Sequence, residues 1–265
     1  MNDTPNKALG QHWLFDEPTL ERIAELAELS SDDTVLEIGP GLGALTAVLC
    51  GQAARVVAVE ADRELAEGLE ARVTSDNLEV HEADILQFDL DRLPERYKVV
   101  ANVPYYISSQ ILRQLWGGGS SPSIAVLLLQ KEVAERVAAV PGSMSVLAFS
   151  VQYYARAEVH DTVPKELFEP PPKVDSAILR MQQRPSPYFA ADEKQLFRLV
   201  KAGFGERRKK LTNALAGGLR IDKDAATALL KRAGISTDVR AQELEMDEWA
   251  ALYQVWYDEN IVSSK

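Results

Sequence analysis

The feature that most constrains the fold is the alternation of apolar and amphipathic segments over the first 140 residues. Thr34 to Ile38 and Arg55 to Glu60 predict strands, and a helical pattern with Asp62 as its N-cap runs from there to Val73. Further strands are predicted over Leu78 to Glu82, Lys98 to Ala101 and Ile124 to Leu129. Strands that alternate with helices form a parallel sheet with helices on both faces.

The pattern changes in the second half of the chain. Met144 to Tyr154, Glu158 to Val163 and Val174 to Met181 predict strands joined without helices, and therefore an antiparallel edge. From about Gln183 the pattern is helical to the end of the chain, and Pro185-Ser186-Pro187 is the best candidate for a hinge. We predict an α/β domain over residues 1–183, with a mostly parallel sheet, and a small helical domain over residues 184–265.

Composition excludes several classes of protein. A single cysteine, Cys50, excludes a disulfide framework and a multi-cysteine metal site. The chain shows neither a hydrophobic signal core nor an apolar run that would cross a bilayer, so we expect a cytoplasmic protein without a membrane partner. The net charge of −11 argues against a nucleic-acid partner, but residues 184–265 hold 14 Lys and Arg against 12 Asp and Glu. The acidic net charge therefore weakens the case for an RNA partner without excluding one.

A glycine turn from Glu37 to Ala44, with the sequence EIGPGLGA, follows the first predicted strand. Glycines allow the backbone to approach a ligand closely, and the N-terminus of the next helix favours negative charge. Gly39, Gly41 and Ala44 satisfy the loose dinucleotide fingerprint, and Glu60 at the end of the second strand suits a ribose diol. These residues indicate an adenosine-containing cofactor without choosing between NAD and S-adenosylmethionine.

Two details of this turn favour S-adenosylmethionine. Pro40 lacks the N–H group that a pyrophosphate would need, and the carboxylate of Glu37 repels phosphate but suits an ammonium group. Asp84, after the third strand, would accept a hydrogen bond from the adenine amino group or, alternatively, cap a turn.

The tetrapeptide Asn102-Val103-Pro104-Tyr105 follows a predicted strand, at the end of the sheet where open parallel sheets bind ligands. The Asn102 side-chain oxygen and the carbonyl of the residue before the proline would accept both hydrogens of an exocyclic amino group, while Tyr105 stacks on the ring that carries this group. The tetrapeptide thus indicates a site for a nucleobase amino group. The alternative is an ordinary Asn-x-Pro turn followed by a packing tyrosine.

Together these motifs resemble the rRNA adenine N6-methyltransferases, and most closely the bacterial small-subunit rRNA dimethyladenosine transferases. The resemblance covers residue 7 to about residue 250. The matching motifs, in chain order, are Lys7 to Leu14 (KALGQHWL), the glycine turn, Glu60, Asp84, Asn102 to Tyr105, Phe168 to Ser176 (FEPPPKVDS) and Phe204 to Leu211 (FGERRKKL). His12 stands where Asn is frequent in this family, and Trp13 where Phe is usual.

The resemblance implies a Rossmann-like methyltransferase sheet and S-adenosylmethionine as methyl donor, without a metal. The implied reaction is N6,N6-dimethylation of two adjacent adenosines in the 3′-terminal hairpin loop of small-subunit rRNA, within an assembling ribosomal subunit, by a monomer. The N-terminal arm would fold over the cofactor. The cofactor-binding residues would be His12, Leu14, Gly39, Gly41, Glu60, Asp84 and Asn102.

The chemistry expected from the resemblance is direct methyl transfer to a base that has been flipped out of the RNA. The Asn102 side-chain oxygen and the Pro104 carbonyl would accept the two N6 hydrogens and make the nitrogen a better nucleophile. Tyr105 and Phe168 would stack on the base.

The densest basic cluster, Arg207-Arg208-Lys209-Lys210, is predicted on a helix of the RNA-recognition domain. We expect it to contact RNA phosphates, although such a run is also typical of a solvated face. Three alternative functions stay open: a large-subunit rRNA methylase, a non-enzymatic ribosome-assembly or transcription factor on the same fold, and, as a minor one, an NAD oxidoreductase.

Overall fold

The computed structural model of the protein describes residues 11–117 and 119–263, and only the backbone of residues 260–263. Residues 7–10 of the predicted arm and Gly118 lie outside the described residues. The strands are β1 (Trp13–Leu14), β2 (Thr34–Ile38), β3 (Arg55–Glu60), β4 (Leu78–Glu82), β5 (Lys98–Asn102), β6 (Ile124–Gln130), β7 (Ala155–Val163), β8 (Phe168–Glu169) and β9 (Ser176–Gln183).

Ten α-helices are found among the described residues. They are α1 (Glu17–Leu26), α2 (Ala44–Cys50), α3 (Arg63–Arg72), α4 (Ser108–Trp116), α5 (Lys131–Val137), α6 (Val146–Tyr154), α7 (Glu193–Phe204), α8 (Leu211–Leu219), α9 (Lys223–Arg232) and α10 (Met246–Ser263). Asp62 caps α3 as predicted, since its side chain accepts from the backbone N–H groups of Glu64 and Leu65. No helix in the described part of the chain combines the length and apolar character that a bilayer crossing requires.

The main sheet has seven strands in the order β4-β3-β2-β5-β6-β9-β7. The first five run parallel, while β9 pairs antiparallel with both β6 and β7. A mostly parallel sheet with an antiparallel edge is therefore confirmed. The strand order reverses between β2 and β5, and ligands bind at such a switch point in open sheets, beyond the carboxyl ends of the strands.

The segment Met144 to Tyr154, predicted as a strand, instead forms helix α6. Ser145 Oγ accepts a hydrogen bond from the Ala148 N–H and so caps its first turn. Apolar side chains occupy nearly every side of this helix, with Phe149 and Val151 fully buried, so the period of 3.6 residues is hidden in the sequence.

The chain divides into two compact units. The first comprises residues 1–135 and 155–183, and the second residues 136–154 and 184–265. The predicted boundary after residue 183 recurs, but the segment 136–154 belongs to the second unit rather than the first. Its aromatic residue Phe149 packs against Trp249 in the core of that unit, with ring centroids 5.7 Å apart, which explains the assignment.

Candidate active site

A cavity of about 400 Å³ lies in the first unit, at the carboxyl ends of β2, β3, β4 and β5. Its lining residues fall within 11–15, 37–45, 59–61, 83–86 and 102–107, together with Leu20. The predicted site segments are dispersed along the sequence but line this one cavity. They are the arm, the glycine turn, Glu60, Asp84 and the Asn102–Tyr105 tetrapeptide.

The glycine turn gives this cavity its backbone wall. Gly39, Gly41 and Gly43 have φ values of 67°, 59° and 89°, a region that residues other than glycine rarely adopt. A Cβ atom on Gly41 would lie 3.2 Å from the ring of Trp13, so the arm approaches the turn closely. The left-handed glycine backbone that the turn predicts is thus observed, with Trp13 packed beside Gly41, and its close approach to a ligand stays a prediction.

Glu60 ties this turn to the end of β3. Its two carboxylate oxygens accept from the backbone N–H groups of Gly41, at 3.1 Å, and Asp62, at 2.9 Å. The residue is only 7% exposed, and this burial raises its pKa, although the two backbone donors act in the opposite direction. Glu60 lines the cavity and also holds the turn in place, a second role that the sequence did not reveal.

Glu37 is the most deeply buried acid of the site, with 1% exposure. Burial raises the pKa of its carboxyl to about 8, and the nearby charge of Glu60 adds to the shift. Its Oε2 atom finds no hydrogen-bond partner among the described residues. Because a buried acceptor without a donor is costly, a cationic ligand in the cavity would supply the missing partner.

Asp84 is exposed and lines the cavity, but it also caps a turn. Its oxygens accept from the Leu86 N–H at 2.9 Å and from Gln87 Nε2 at 3.2 Å. Each carboxylate oxygen can accept a further hydrogen bond. The capping alternative is therefore observed, while a role toward an adenine amino group stays a prediction.

The N-terminal arm is fixed by a short strand pairing. β1 pairs antiparallel with β8, so that Trp13 lies opposite Glu169 and Leu14 opposite Phe168. Next to this pair, His12 Nδ1 lies 2.7 Å from the carbonyl oxygen of Pro170. Leu14 is buried and lines the cavity, and His12 also belongs to the lining. The arm therefore forms one wall of the site.

Asn102 connects this arm to the end of β5. Its Nδ2 donates to the backbone carbonyl of His12 at 3.0 Å, and its Oδ1 receives no hydrogen bond from the described residues. The Pro104 carbonyl, predicted as the second acceptor, already accepts long bonds of 3.3 Å from Ile107 N and Ser108 Oγ, since a helical turn begins there. The Val103 carbonyl accepts no hydrogen bond in the described part of the chain, so of the two backbone carbonyls it is the one without a donor.

The aromatic residues differ from the prediction in one case. The Tyr105 hydroxyl is bonded to Ser176 Oγ at 2.6 Å, and burial raises its pKa. Phe168, predicted to stack on a base, is 3% exposed, packs in the apolar core and does not line the cavity. Strand alternation explains this position, because Phe168 faces the core beside its partner Leu14.

Tyr106 is an aromatic residue of the site that the sequence analysis missed. Its side chain is 58% exposed and lines the cavity. Its exposure on a 3₁₀ turn, beside an anchored tyrosine, makes it available to an incoming ring. The doubled Tyr105-Tyr106 was the available signal, but the sequence does not tell which of the two rings is exposed.

The basic cluster lies in the turn between α7 and α8, not on a helix. All four side chains are exposed, and Lys209 and Lys210 form ion pairs with Glu206 and Asp238 respectively. Arg207 and Arg208 pair with no acid in the described part of the chain. The cluster thus contains two free guanidinium groups and two neutralised ammonium groups.

Comparison with known proteins gives consistent matches over nearly the whole chain. The family model for ribosomal RNA adenine dimethylase matches residues 2–258. The ribosomal RNA small subunit methyltransferase A of Dehalococcoides mccartyi is 42% identical over 264 residues, which cover 96% of this chain and 89% of that protein. The protein of the same name from Rippkaea orientalis is 43% identical, over 92% of this chain and 95% of its own.

Two solved structures resemble the whole chain. A dimethyladenosine transferase from Plasmodium falciparum superposes with a TM-score of 0.82 at 25% identity, over 94% of this chain and 98% of its own. The 23S rRNA methyltransferase ErmE superposes with a TM-score of 0.76 at 30% identity, over 92% and 98%. The match extends over the sheet and the helical unit alike.

Proposed function

Since this chain belongs to the ribosomal RNA adenine dimethylase family, we propose that it catalyses N6,N6-dimethylation of two adjacent adenosines in the 3′-terminal hairpin loop of small-subunit rRNA. It is an S-adenosylmethionine-dependent rRNA adenine dimethyltransferase, and relatives at 39 to 43% identity bear the small-subunit name. The finer parts of the proposal are the two adjacent adenosines, the hairpin loop, the assembling subunit as substrate and the monomeric state of the enzyme.

The observation that carries the proposal is the pair of free acceptors at the end of β5. Asn102 Oδ1 and the Val103 carbonyl have no donor among the described residues, and Asn102 lines the cavity. An adenine amino group carries two hydrogens and would satisfy both acceptors. Hydrogen bonds from both N6 hydrogens draw the nitrogen lone pair out of the ring, which makes N6 more nucleophilic and stabilises the positive charge that develops there.

The cavity residues fit S-adenosylmethionine, which supplies a methyl group already activated on a sulfonium. Glu37 Oε2 lacks a donor, as an acceptor waiting for an ammonium group would, and the backbone of the glycine turn is open to close approach. Gly39, Gly41 and Glu60 would hold the amino-acid and ribose parts, with Leu14 and Asp84 further along the cavity. The protein's contribution to rate is then to place N6 in line with the methyl group.

The target adenine must leave the RNA stack to reach this site. Tyr106, exposed at the cavity, would receive the flipped base, and Tyr105, anchored by Ser176, would form the fixed aromatic wall. Stacking of a base on an aromatic ring contributes about 1–3 kcal/mol. The second unit contains Arg207 and Arg208, which would contact RNA phosphates, and we propose this unit as the RNA-recognition domain.

A large-subunit target is the second candidate function, and the similarity to the 23S rRNA methyltransferase is the observation that favours it. The identity of 30% to that enzyme is below the 42% to the small-subunit relatives, so we rank it lower. A purely structural assembly factor would not need two free acceptors at a cofactor-sized cavity. Because ribosomal subunits of bacteria assemble in the cytoplasm, we propose that the protein acts there.

Mapping of N6-methylated adenines tests the proposal. Small ribosomal subunits from a strain that lacks the gene would be incubated with purified protein and S-adenosylmethionine, with large subunits in a parallel reaction. We expect two dimethylated neighbouring adenines near the 3′ end of the small-subunit RNA and none in the large-subunit RNA. Methylation confined to the large-subunit RNA would favour the second candidate, and no methylation in either would overturn the proposal.

A further inference from the structure

We infer that His12 accepts the proton that N6 releases during each methyl transfer, an inference that rests on the proposed function. The position of His12 is the first reason. Its ring stacks on Tyr105, with centroids 5.7 Å apart and planes 24° apart, and its backbone carbonyl accepts from Asn102 Nδ2. His12 therefore contacts two residues of the tetrapeptide that would hold the target base, and it lines the same cavity.

The hydrogen bond to Pro170 defines the protonation pattern of the neutral ring. A carbonyl oxygen only accepts, so His12 Nδ1, 2.7 Å away, must carry the hydrogen. The neutral imidazole then has its lone pair on Nε2. No described residue forms a hydrogen bond with Nε2, so this atom is free to take a proton from a ligand.

The proposed step conserves atoms and electrons. The sulfonium carbon–sulfur bond breaks as the bond from N6 to the methyl carbon forms, and the sulfur keeps the bonding electron pair. N6 becomes cationic and gives one hydrogen, as a proton, to His12 Nε2, whose lone pair forms the new N–H bond. The resulting imidazolium still donates from Nδ1 to the Pro170 carbonyl. Solvent takes the proton before the next transfer, and the second methylation removes the second N6 hydrogen in the same way.

Asn102 and Val103 do not perform this step, because amide oxygens accept hydrogen bonds but are very weak bases. The other ionisable groups on the elements around the cavity are Glu37 in β2, Glu60 at the end of β3, Asp62 and Asp84 after β3 and β4, Tyr105 after β5 and Glu169 in β8. None of them forms a hydrogen bond with His12 among the described residues, so Nε2 of His12 keeps its lone pair for a ligand.

The test compares His12→Asn with His160→Asn. His12→Asn keeps a polar side chain and the backbone carbonyl that Asn102 uses. The chain has only three histidines, and His160 on β7 does not line the cavity, which makes it the matched control. Single-turnover methylation of small-subunit RNA would be followed from pH 5.5 to 8.5, and cofactor affinity would be measured by calorimetry at each pH.

We expect the wild-type and His160→Asn rates to fall as the pH is lowered, because protonated His12 has no lone pair to offer. The His12→Asn rate should lack this fall and lie about tenfold below wild type at pH 8, less than the usual 10²–10⁴ because water also accepts protons. The cofactor affinity measured at each pH separates this loss of rate from a loss of cofactor binding. An acid-side fall that persists in His12→Asn would overturn the inference.

Two further measurements do not depend on this rate. In the protein without cofactor, ¹⁵N shifts of labelled His12 should show hydrogen on Nδ1; hydrogen on Nε2 would contradict the inference. For His12→Ala, added imidazole should restore the rate in proportion to its neutral fraction, whereas rescue independent of pH would indicate a merely structural ring. If wild-type protein methylates no RNA, the proposed function fails instead, while the NMR result still reports the tautomer.

Discussion

The two free arginines of the basic cluster lead to a quantitative prediction about salt dependence. Removing one cation that binds a phosphate should reduce the slope of log affinity against log salt by about 0.7 for single-stranded and 0.9 for double-stranded RNA. Lys209 and Lys210 are already paired with acids, so each forms a locally neutral unit, whereas Arg207 and Arg208 are free among the described residues. The double variant Arg207→Ala/Arg208→Ala should therefore reduce the slope by about 1.4 to 1.8.

The matched control is Lys209→Ala/Lys210→Ala. Both double variants remove two positive charges from the same turn, so the change in net charge is identical and a difference between them reports direct binding to phosphate. For a slope change of 1.6, the factor by which affinity falls between 50 and 200 mM salt is about ninefold smaller for the variant than for the wild type. The control should change the slope by less than about 0.5, since Lys209 and Lys210 are directed at Glu206 and Asp238 and would make fewer direct contacts with phosphate.

The assay is titration of small subunits with protein that carries a fluorescent label, at five salt concentrations. Equal slope changes for the two variants would refute the distinction between free and paired cations. An unchanged slope for both would show that the turn is a solvated face and that RNA docks elsewhere on the protein.

Four further predictions concern the cavity. Asn102→Ala should lower turnover by about 10² while cofactor affinity, measured by calorimetry, changes only a few-fold, because an oriented acceptor is removed; turnover near wild type would contradict this. Glu60→Ala should abolish measurable cofactor binding while circular dichroism shows a retained fold, and equal affinity would refute the assignment. Tyr106→Ala should weaken RNA binding more than Tyr106→Phe, which keeps the ring. The raised Glu37 pKa implies a contribution to folding stability that is present below about pH 4.5 and is lost as the pH rises through about 8. The melting temperature of the cofactor-free wild type should therefore fall over this pH range relative to that of Glu37→Gln. Parallel curves of melting temperature against pH for the two proteins would contradict this prediction.

The sequence predicted the central strands well because β2, β5 and β6 are largely apolar and buried, and because glycines follow β2. Where the prediction failed, the deciding interaction was tertiary. Helix α6 is apolar on nearly every side because it is buried in the second unit, and only the capping Ser145 marked it as helical. Phe168 faces the core because of its pairing with Leu14, a partner about 150 residues away that no local pattern reveals.

The sequence predicted which residues lie at the site but not the hydrogen bonds that hold them there. The spacing of the motifs placed Asn102 and Glu60 at strand ends, which local physics dictates. It did not show that Glu60 also holds Gly41, that Ser176 anchors Tyr105, or that the Pro104 carbonyl is used by a helical turn. Such details depend on which neighbours arrive from distant parts of the chain.

The pairing of β1 with β8 has a consequence for biosynthesis. His12 and Pro170 are 158 positions apart, and His12 and Asn102 are 90 apart, so the wall of the cavity is made of hydrogen bonds that close very long loops. During translation the arm leaves the ribosome well before β8 and has no partner strand until residue 169 has emerged. A nascent chain stalled before that point should therefore bind the methyl donor poorly, because the wall that β1 and β8 form together does not yet exist.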